Sequence, residues 1–533
     1  TDTTGGYQRG NYAIINRNDQ RGTDNGAISN GNLKYVQSSN GARALRATIG
    51  VSSGKWFWEF KHLGGNASHG IAKNSGSLGT YPGGSDNDGV SWFVQGNIYR
   101  NGSTSTYASN TYAVNDIIGV ALDMDNGTLT YYKNGVSQGT AATGLTGTWF
   151  PAFGTSNVQV VSFEANFGQM PFKHGLPSGY KALNTTALPS ATIANGSTAF
   201  NTKIWSGDAN TSRALTGYNM APDLVWIKKR SGAFSHYLFD SVRGNTLQLK
   251  SDSSDAESTT TNKLISFDSD GFTVGNAGAV NGSGDTYVGW AWDAGSSTVS
   301  NTDGSTTSSL RANPSAGFSI VTYTGTGSNA TVGHGLNTAP SLVIIKRRND
   351  AASWTIYSST LGATKYLRLN STNAAGTVSS YFNDTAPTNS VFTVGTSDGV
   401  NGSGYTYLAY CFAPVAGYSA IGSYTGNAST DGPFVYTGFR PRWVMHKRTD
   451  TGGTNVGDWR IWDTARDTDN AAEGILFPAG NNAEATHSAH GLDILSNGFK
   501  FRTSDSNINA SGGTYLYVAF AENPFQANGG LAR

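Results

Sequence analysis

Short runs of aromatic and β-branched residues, separated by clusters of Gly, Ser, Thr and Asn, alternate along the whole chain. In the first part of the chain these runs occupy 55–60 (KWFWEF), 116–125 (DIIGVALDMD), 127–135 (GTLTYYKNG) and 160–168 (VVSFEANFG). Runs of this length between turn residues are typical of β-strands. Because consecutive positions of the first run are bulky and apolar, both of its faces are expected to be covered, as in a β-sandwich. The pattern therefore predicts an all-β fold.

Two Asn-Gly pairs mark the turns of this first region. Asn126-Gly127 separates two β-rich runs, and Asn134-Gly135 follows eight residues later. Asn and Gly adopt the positive φ angles that tight hairpin turns require. The region is therefore predicted to form an antiparallel meander.

The second part of the chain, from about 199 to 525, repeats a set of motifs three times. Each copy begins with an aromatic residue, a small residue and Gly, at 205–207 (WSG), 323–325 (YTG) and 424–426 (YTG). A proline then leads a strand-like run into a basic cluster, at 221–230 (APDLVWIKKR), 339–348 (APSLVIIKRR) and 440–448 (RPRWVMHKR). Each copy closes on a Gly/Ser motif and an apolar run, at 280–292 (VNGSGDTYVGWAW), 400–410 (VNGSGYTYLAY) and 508–520 (INASGGTYLYVAF).

The period of this repeat is that of a small domain. Pro222, Pro340 and Pro441 occupy the same place in the three copies and lie 118 and 101 residues apart. Solenoid repeats are about 20–50 residues long, so a solenoid is excluded. We predict an N-terminal β-sandwich at 1–183, three related β-sandwich modules at 199–298, 318–416 and 418–525, a linker or arm at 299–317, and a C-terminal tail at 526–533. The segment 299–317 is low in apolar residues, and a long edge loop is the alternative for it.

Composition narrows the classes of function. Charged residues make up 13% of the chain and the net charge is +1, so no long-range field would attract nucleic acid or an anionic membrane. No apolar run approaches the ~20 residues that span a bilayer. Cys411 is the single cysteine and lies in an apolar run, which predicts a buried structural thiol. The chain begins without Met and without a signal pattern, so the natural product is expected to begin upstream.

The Gly-Ser-Gly motif at 282–284 invites comparison with phosphate-binding loops. Those loops join a strand to a helix, whose N-terminal amides hold the phosphate. Here aromatic and β-branched residues follow the motif, and Ala510 replaces the first Gly in the third copy. We therefore predict a turn that leads into a buried strand.

The basic clusters at 228–230, 346–348 and 447–448 have two interpretations. They could bind an anionic glycan or nucleic acid, or they could end a core strand and pair with nearby acids while their stems cover apolar surface. Their recurrence in every module favours the architectural interpretation.

No residue pattern indicates an enzyme. Glu59 and Glu164 are candidates for the carboxylate pair of a glycosidase by residue type alone. The histidines are scattered, and no HExxH motif occurs. We predict no catalytic residues, no cofactor and no metal site.

Candidate ligand-binding residues lie in the loop-rich part of the N-terminal sandwich. Binding pockets are mostly apolar with a few placed polar groups, and aromatic faces can stack on sugars. The candidates are Asp86, Asp88, Trp92, Tyr99, Tyr107 and Tyr112. Packing inside the sandwich is the alternative for the aromatic residues, and a plain turn is the alternative for the two acids.

The first region resembles a SPRY domain over about 40–180. The resemblance rests on the order of GKWFWEF (54–60), SDNDGVSW (85–92), IYRNG (98–102), DIIGVALDMDNGTLTYYKNGVSQG (116–139) and NFGQMPF (166–172). SPRY domains are bent, concanavalin-like β-sandwiches that bind partners through loops, so the resemblance implies recognition. The repeats over 199–525 resemble β-modules that follow SPRY domains in phage tail proteins, especially those of marine phages.

These resemblances imply a bacteriophage virion protein, namely a tail fibre or tail adhesin that recognises a bacterial surface glycan or protein. Binding would be non-covalent and multivalent. They also imply other virion proteins as partners, a homotrimer, and a place in the phage tail after assembly in the host cytoplasm. The near-zero net charge and the lack of a long apolar run predict no nucleic-acid binding and no membrane insertion. Two alternatives stay open: a capsid or tail decoration protein without a receptor role, and a surface-polysaccharide depolymerase.

Overall fold

Two compact units make up the chain. This computed structural model describes residues 10–20, 26–37, 41–76, 78–85, 88–107, 111–155, 161–453 and 456–525. Unit one comprises the described parts of Thr1–Ser190, Phe434–Gly438 and Phe525–Arg533, and unit two those of Ala191–Pro433 and Phe439–Pro524. Almost all regular structure is β-strand, as the sequence pattern predicts. Among the described residues, no helix is both long and apolar enough to cross a bilayer.

The first fifteen strands all belong to unit one. They are β1 (Ile15–Gln20), β2 (Gly26–Ser29), β3 (Lys34–Gln37), β4 (Arg43–Ala47), β5 (Lys55–Gly64), β6 (Ala67–Lys73), β7 (Gly89–Phe93), β8 (Asn97–Arg100), β9 (Ser103–Thr106), β10 (Ile117–Asp123), β11 (Thr128–Lys133), β12 (Val136–Ala142), β13 (Trp149–Thr155), β14 (Ser162–Asn166) and β15 (Lys181–Ala182).

Unit one is a sandwich of two sheets. One sheet has the order β1-β4-β13-β6-β7-β8-β9, and the other has the order β12-β11-β10-β5-β14-β3-β2, with β15 added parallel to β5. Trp56, Trp58 and Phe60 on β5 face the core, where the Phe60 ring lies 4.6 Å from that of Phe153 in the opposite sheet. Phe57 points the other way and is still buried at 3% exposure. Both faces of β5 are therefore covered, as predicted.

The predicted hairpins are confirmed. β10 pairs with β11 up to Asp123 and Thr128, and β11 pairs with β12 up to Lys133 and Val136. Asp123 Oδ1 accepts a hydrogen bond from the Asn126 amide at 3.0 Å and so stabilises the first turn. Gly127 and Gly135 have φ angles of 62° and 82°, which other residues adopt only at a cost.

The later strands belong to unit two, except β36, which lies in unit one. They are β16 (Phe200–Ser206), β17 (Arg213–Thr216), β18 (Leu224–Lys229), β19 (Tyr237–Asp240), β20 (Gly244–Lys250), β21 (Ser258–Thr259), β22 (Leu264–Asp268), β23 (Gly271–Val274), β24 (Thr286–Trp292), β25 (Val299–Asn301), β26 (Ser308–Asn313), β27 (Phe318–Thr324), β28 (Ala330–Gly333), β29 (Leu342–Arg347), β30 (Thr355–Ser358), β31 (Lys365–Arg368), β32 (Gly376–Thr377), β33 (Val391–Val394), β34 (Thr406–Phe412), β35 (Ser419–Thr425), β36 (Phe434–Tyr436), β37 (Phe439–Arg448), β38 (Arg460–Asp463), β39 (Gly474–Ile475), β40 (Ala485–Thr486), β41 (Leu492–Leu495), β42 (Gly498–Phe501) and β43 (Thr514–Pro524). The short helices are α1 (Ser379–Phe382) and α2 (Ser506–Asn509), with 3-10 turns at Gly196–Thr198 and Ser488–His490.

The three modules share one strand order. Each has a central antiparallel set in which the opening strand, the closing strand, the Pro-led strand and the next aromatic strand are neighbours. These sets are β16-β24-β18-β19, β27-β34-β29-β30 and β35-β43-β37-β38. A smaller antiparallel sheet accompanies each set, namely β17-β23-β22, β28-β33 and β41-β42. The repeat in sequence is therefore a repeat in structure.

The segment 299–317, predicted as a linker or arm, is instead part of the second module. It contains β25 and β26, and β26 pairs with β27 over six residues from Ser308 to Asn313. Leu310 of β26 is buried at 3% exposure in the core of that module. An edge strand with one wet face needs few apolar residues, so the composition of this segment resembled that of a linker.

The three modules meet in a common aromatic core. Each closing strand carries an aromatic residue at the same position of the repeat, namely Trp292, Phe412 and Phe520. The ring centroid of Phe520 lies 5.7 Å from that of Trp292 and 5.8 Å from that of Phe412. Trp443 of the third module also contacts Trp292, at 5.9 Å. The modules of unit two therefore share a core at their junction.

Candidate functional site

The repeated Gly/Ser motif forms a structural turn, as predicted. Asn401, which precedes the motif in the second module, is fully buried. Its Nδ2 donates to the carbonyl oxygens of Ser328 and Gly395 at 2.6 and 2.8 Å, and its Oδ1 accepts from the Thr326 amide at 2.9 Å. The Gly402 amide donates to the hydroxyl of Tyr407 at 2.7 Å. These groups of the motif are therefore engaged within the protein.

The other two copies use the same device. Asn281 and Asn509 are also fully buried. Tyr287 and Tyr515 accept from the amides of Gly282 and Ala510 at 2.7 and 2.8 Å. Because an alanine amide serves as well as a glycine amide here, the substitution at position 510 leaves the turn intact.

Replacing Asn401 with alanine is expected to lower the free energy of unfolding of unit two by about 2–3 kcal/mol. The change leaves the buried carbonyl group of Gly395 without its partner and removes the hydrogen bonds to the Ser328 carbonyl oxygen and from the Thr326 amide. Urea unfolding followed by circular dichroism measures the difference. Ser403→Ala, in the exposed part of the same turn, is the matched control and should change stability by less than ~0.5 kcal/mol. Equal effects of the two substitutions would contradict this role of Asn401.

The basic clusters are joints between modules. The first residue of each cluster is a fully buried lysine, namely Lys228, Lys346 or Lys447, and burial lowers the pKa of each to about 8. Each Nζ donates to a main-chain oxygen of a neighbouring module. The acceptors are Asn481 O at 3.5 Å, Ser254 O at 3.1 Å and Thr372 O at 3.2 Å, respectively. Module one thus contacts module three, module two contacts module one and module three contacts module two, which closes a ring.

Ion pairs reinforce two of these joints. Arg348 of the second module donates to Glu257 of the first at 3.0 and 2.9 Å. Glu257 also accepts from Arg243 at 2.8 Å, and the guanidinium of Arg243 is fully buried. Arg230 of the first module pairs with Glu484 of the third in the same way, at 2.7 Å. The clusters therefore have the architectural role that their recurrence indicated.

Two of the predicted ligand-binding residues are corrected by the structure. Trp92 and Tyr112 are 0% and 2% exposed and belong to the core of unit one. The Tyr112 hydroxyl donates to the Ala67 carbonyl oxygen at 2.7 Å, and burial raises its pKa well above the usual value. Neither ring can stack on a ligand, because both are enclosed in the core between the two sheets.

The other predicted residues are dispersed. Asp86 lies outside the described residues. Asp88 is 3.5 Å from the Lys73 ammonium. Tyr99 is half-buried and contacts the rings of Tyr81 and Phe93 at 4.9 and 4.8 Å.

Tyr107 is half-buried against the β-hairpin of β11 and β12. Its hydroxyl donates to the Gly139 carbonyl oxygen, and its ring lies 5.8 Å from that of Tyr131. Burial raises the pKa of Tyr107 to about 12. These contacts hold the Tyr107 ring against the protein. Of the predicted residues, the ring contacts the buried Trp92, whose ring centroid lies 5.7 Å away.

A cavity of about 320 Å³ lies on the outer face of unit one, beside β5, β10 and β11. Phe57, Glu59 and Tyr132 line it from the sheet. Residues 171–182, which we call the strap, cross the same face and contribute His174 and Ser178 to the lining. The last two residues of the strap form β15, which fixes it to β5. We name this space the strap cavity.

Glu59 joins the strap to the sheet. Its carboxylate accepts from the amides of Lys173 and His174, at 2.9 and 3.5 Å, and is 4% exposed. Burial raises the pKa of Glu59, while these hydrogen bonds act in the opposite direction. Glu164 lies on the neighbouring strand, two positions out of register with Glu59, and accepts from Asn30 Nδ2 at 3.0 Å. Both carboxylates therefore have structural partners.

Sequence reasoning did not select Tyr132, His174 or Ser178. Tyr132 lies in a strand whose neighbours alternate between the two faces, and nothing local shows which face opens onto a cavity. The strap follows the NFGQ motif, and its Pro and Gly residues (PFKHGLPSGYK, 171–181) indicate a non-sheet segment. That run was the available signal of a segment that covers the sheet.

Among the described residues, no group of three or more His, Cys, Asp or Glu side chains is placed to hold a metal ion. The buried histidines serve packing instead. His236 Nδ1 accepts from the indole N–H of Trp226 at 2.9 Å. Because an indole only donates, His236 is held without a proton on that nitrogen.

Stability is expected to fall as the pH drops from 7 to 5. Burial holds the pKa of His69, His236 and His446 well below 6.5 in the folded chain. Below pH 6.5 the unfolded chain therefore binds protons that the folded chain does not, which costs roughly 1.4 kcal/mol per histidine and pH unit. Urea unfolding at pH 7, 6 and 5 measures the slope. His69→Phe should flatten it for unit one, and a stability that is flat across this range in the unaltered protein would contradict the prediction.

Comparisons with known proteins agree with the two-part organisation. Residues 195–524 match a family described as a domain of unknown function (DUF7483), and residues 55–170 match the SPRY domain. A probable ATP-dependent RNA helicase, ddx1 of Dictyostelium discoideum, is 31% identical over 150 residues, which cover 27% of this chain and 18% of that protein. The chain thus spans less than a fifth of the length of this relative.

Solved SPRY structures are also similar to part of the chain. The SPRY domain of human HERC1 is 20% identical, with 27% of this chain and 94% of that chain covered and a TM-score of 0.25. A human SPRY domain is 16% identical, with 26% and 94% covered and a TM-score of 0.23. The TRIM65 PSpry domain is 13% identical, with 29% and 92% covered and a TM-score of 0.24.

Proposed function

We propose a function for this chain, which belongs to the DUF7483 family and carries an N-terminal SPRY domain. It is a recognition protein that binds a partner without catalysing a reaction. The observation that carries the proposal is the strap cavity, a space of about 320 Å³ with aromatic walls and one buried carboxylate. Glu59 and Glu164, the candidates for the carboxylate pair of a glycosidase, accept hydrogen bonds from other groups of the protein. The first lysine of each basic cluster joins its module to a neighbouring module of unit two.

The partner that we propose is a bacterial cell surface. The tandem modules resemble those of phage tail proteins, which supports a virion protein of the tail fibre or adhesin type. Its ligand would be a surface glycan or protein, and it would be attached to other virion proteins after assembly in the host cytoplasm. A homotrimer would multiply weak contacts through effective concentration.

Two measurements test this proposal. Immunogold labelling of particles of the encoding phage is expected to mark the tail. The purified chain, added to host cells before the phage, is expected to lower phage adsorption in a concentration-dependent manner. Labelling of the head without any effect on adsorption would favour a decoration protein and overturn the adhesin. Mass photometry of the purified chain should give three times 55.9 kDa, and a monomer would remove the homotrimer from the proposal.

A further inference from the structure

We propose that the strap cavity binds a single neutral, hydroxyl-rich pyranose ring of the recognised surface. The inference rests on the proposed recognition function and adds to it a site and a ligand class. Glu59 forms the floor of the strap cavity, and Tyr132 forms one wall.

The floor offers acceptors for hydroxyl groups. A carboxylate has about four lone-pair positions on its two oxygens. Glu59 uses two of them for the amides of Lys173 and His174. The remaining positions of a carboxylate that lines the cavity suit two adjacent hydroxyl donors, as found on a pyranose. The strap amides hold the carboxylate in place, so little side-chain entropy is lost when a ligand binds.

The wall offers an aromatic face. Tyr132 lines the cavity and is only half-buried, whereas Phe57 behind it is 3% exposed and stands edge-on to it at 6.0 Å. Gly119 lies between them on β10, and a Cβ there would come within 2.8 Å of the Phe57 ring. The absence of a side chain at this position keeps the two aromatic residues together and leaves the floor open. The C–H face of a sugar can then stack on Tyr132.

Size and charge narrow the ligand class. A volume of about 320 Å³ is at the small end of the ~300–1,000 Å³ range of small-molecule sites, which suits one ring. A carboxylated sugar would bring its charge toward the buried carboxylate of Glu59, and this repulsion is strong where water is excluded. A neutral hexose or N-acetylhexosamine avoids that cost.

Saturation-transfer NMR on the full chain tests the site. The probes are the methyl glycosides of glucose, galactose, mannose and N-acetylglucosamine, with glucuronic acid as the charged comparison. Ser178→Trp places bulk in the cavity at an exposed strap position, and Ser178→Ala is its matched control. At least one neutral glycoside is expected to show transfer with the unaltered chain and with Ser178→Ala, and none with Ser178→Trp. Tyr132→Ala should weaken that binding about tenfold, the equivalent of one aromatic contact.

Several results would overturn the inference. One is that no neutral glycoside shows saturation transfer. A second is that saturation transfer persists in Ser178→Trp while the near-UV spectrum of that variant is unchanged. A third is that glucuronic acid binds more tightly than every neutral probe. Tyr99→Ala, on the opposite sheet, is expected to leave binding unchanged. Cell binding that persists in Ser178→Trp would remove the strap cavity as the site and leave the proposed function standing. Absence of cell binding by the unaltered chain would remove the proposed function, whatever the glycosides do.

Discussion

Replacing Glu257 with alanine is expected to lower the free energy of unfolding of unit two by about 3–5 kcal/mol. Glu257 accepts three hydrogen bonds at the joint between the first and second modules, from Arg243 and Arg348. The guanidinium of Arg243 is fully buried. Without Glu257 the guanidinium keeps Asp240 as an ionic partner at 2.6 Å and the Leu247 carbonyl oxygen at 3.2 Å, but one of its buried N–H groups loses its charged acceptor. Leaving that N–H group buried without a charged partner is the main cost.

Guanidinium-induced unfolding of the full chain measures this effect. Asp255→Ala is the matched control, because Asp255 is 59% exposed and pairs with Lys250 at the surface. An exposed pair contributes about 0–1 kcal/mol, so the control should be nearly silent. Glu484→Ala breaks the equivalent joint with Arg230 and should resemble Glu257→Ala. A loss for Glu257→Ala no larger than that for Asp255→Ala would contradict a ring held by these joints.

Replacing Trp292 with alanine is expected to cost about 3–5 kcal/mol and to destabilise all three modules together. Trp292 is 2% exposed and lies where the closing strands converge. Its ring contacts Phe200 of its own module at 4.8 Å and Phe520 of the third module at 5.7 Å. A cavity at this point removes contacts from more than one module. The modules of unit two should therefore unfold in one transition.

Native-state hydrogen exchange separates this outcome from independent modules. In Trp292→Ala, amides of β24, β34 and β43 should lose protection by the same free energy. Phe234→Ala removes an aromatic ring that is 37% exposed and should leave exchange nearly unchanged. Lost protection confined to β24 would show that each module unfolds alone and would contradict the shared core.

Local chemistry made part of this fold predictable. Asn126-Gly127 and Asn134-Gly135 specify hairpins through their own φ angles, so the meander followed from neighbouring residues. Asn401 and its counterparts recur with the same Gly/Ser motif, so the turn was recognisable before its hydrogen bonds were seen. A repeated motif also identified the lysines as architectural. In each case the signal in the sequence lies within a few residues of the feature.

Long-range pairing explains what the sequence did not reveal. Residues 299–317 form an edge because β27 is available beside them, and their own composition does not show that. The shared core depends on three aromatic residues more than 100 positions apart coming together. Trp92 and Tyr112 were candidates for ligand contact because aromatic residues serve both cores and binding sites. Only the packing of both sheets assigns them to the core.

The central claim is that the chain binds a bacterial surface without changing it. One assay tests both the binding and the lack of chemical change. Host cells are incubated overnight with the purified chain, and the protein bound to the cells and the reducing sugar released to the medium are measured in the same sample. The account predicts saturable binding to the cells and a release of reducing sugar equal to that of cells incubated with buffer alone. Release that grows with time and with protein concentration would instead identify a depolymerase, and failure of the protein to bind the cells would contradict the recognition function itself.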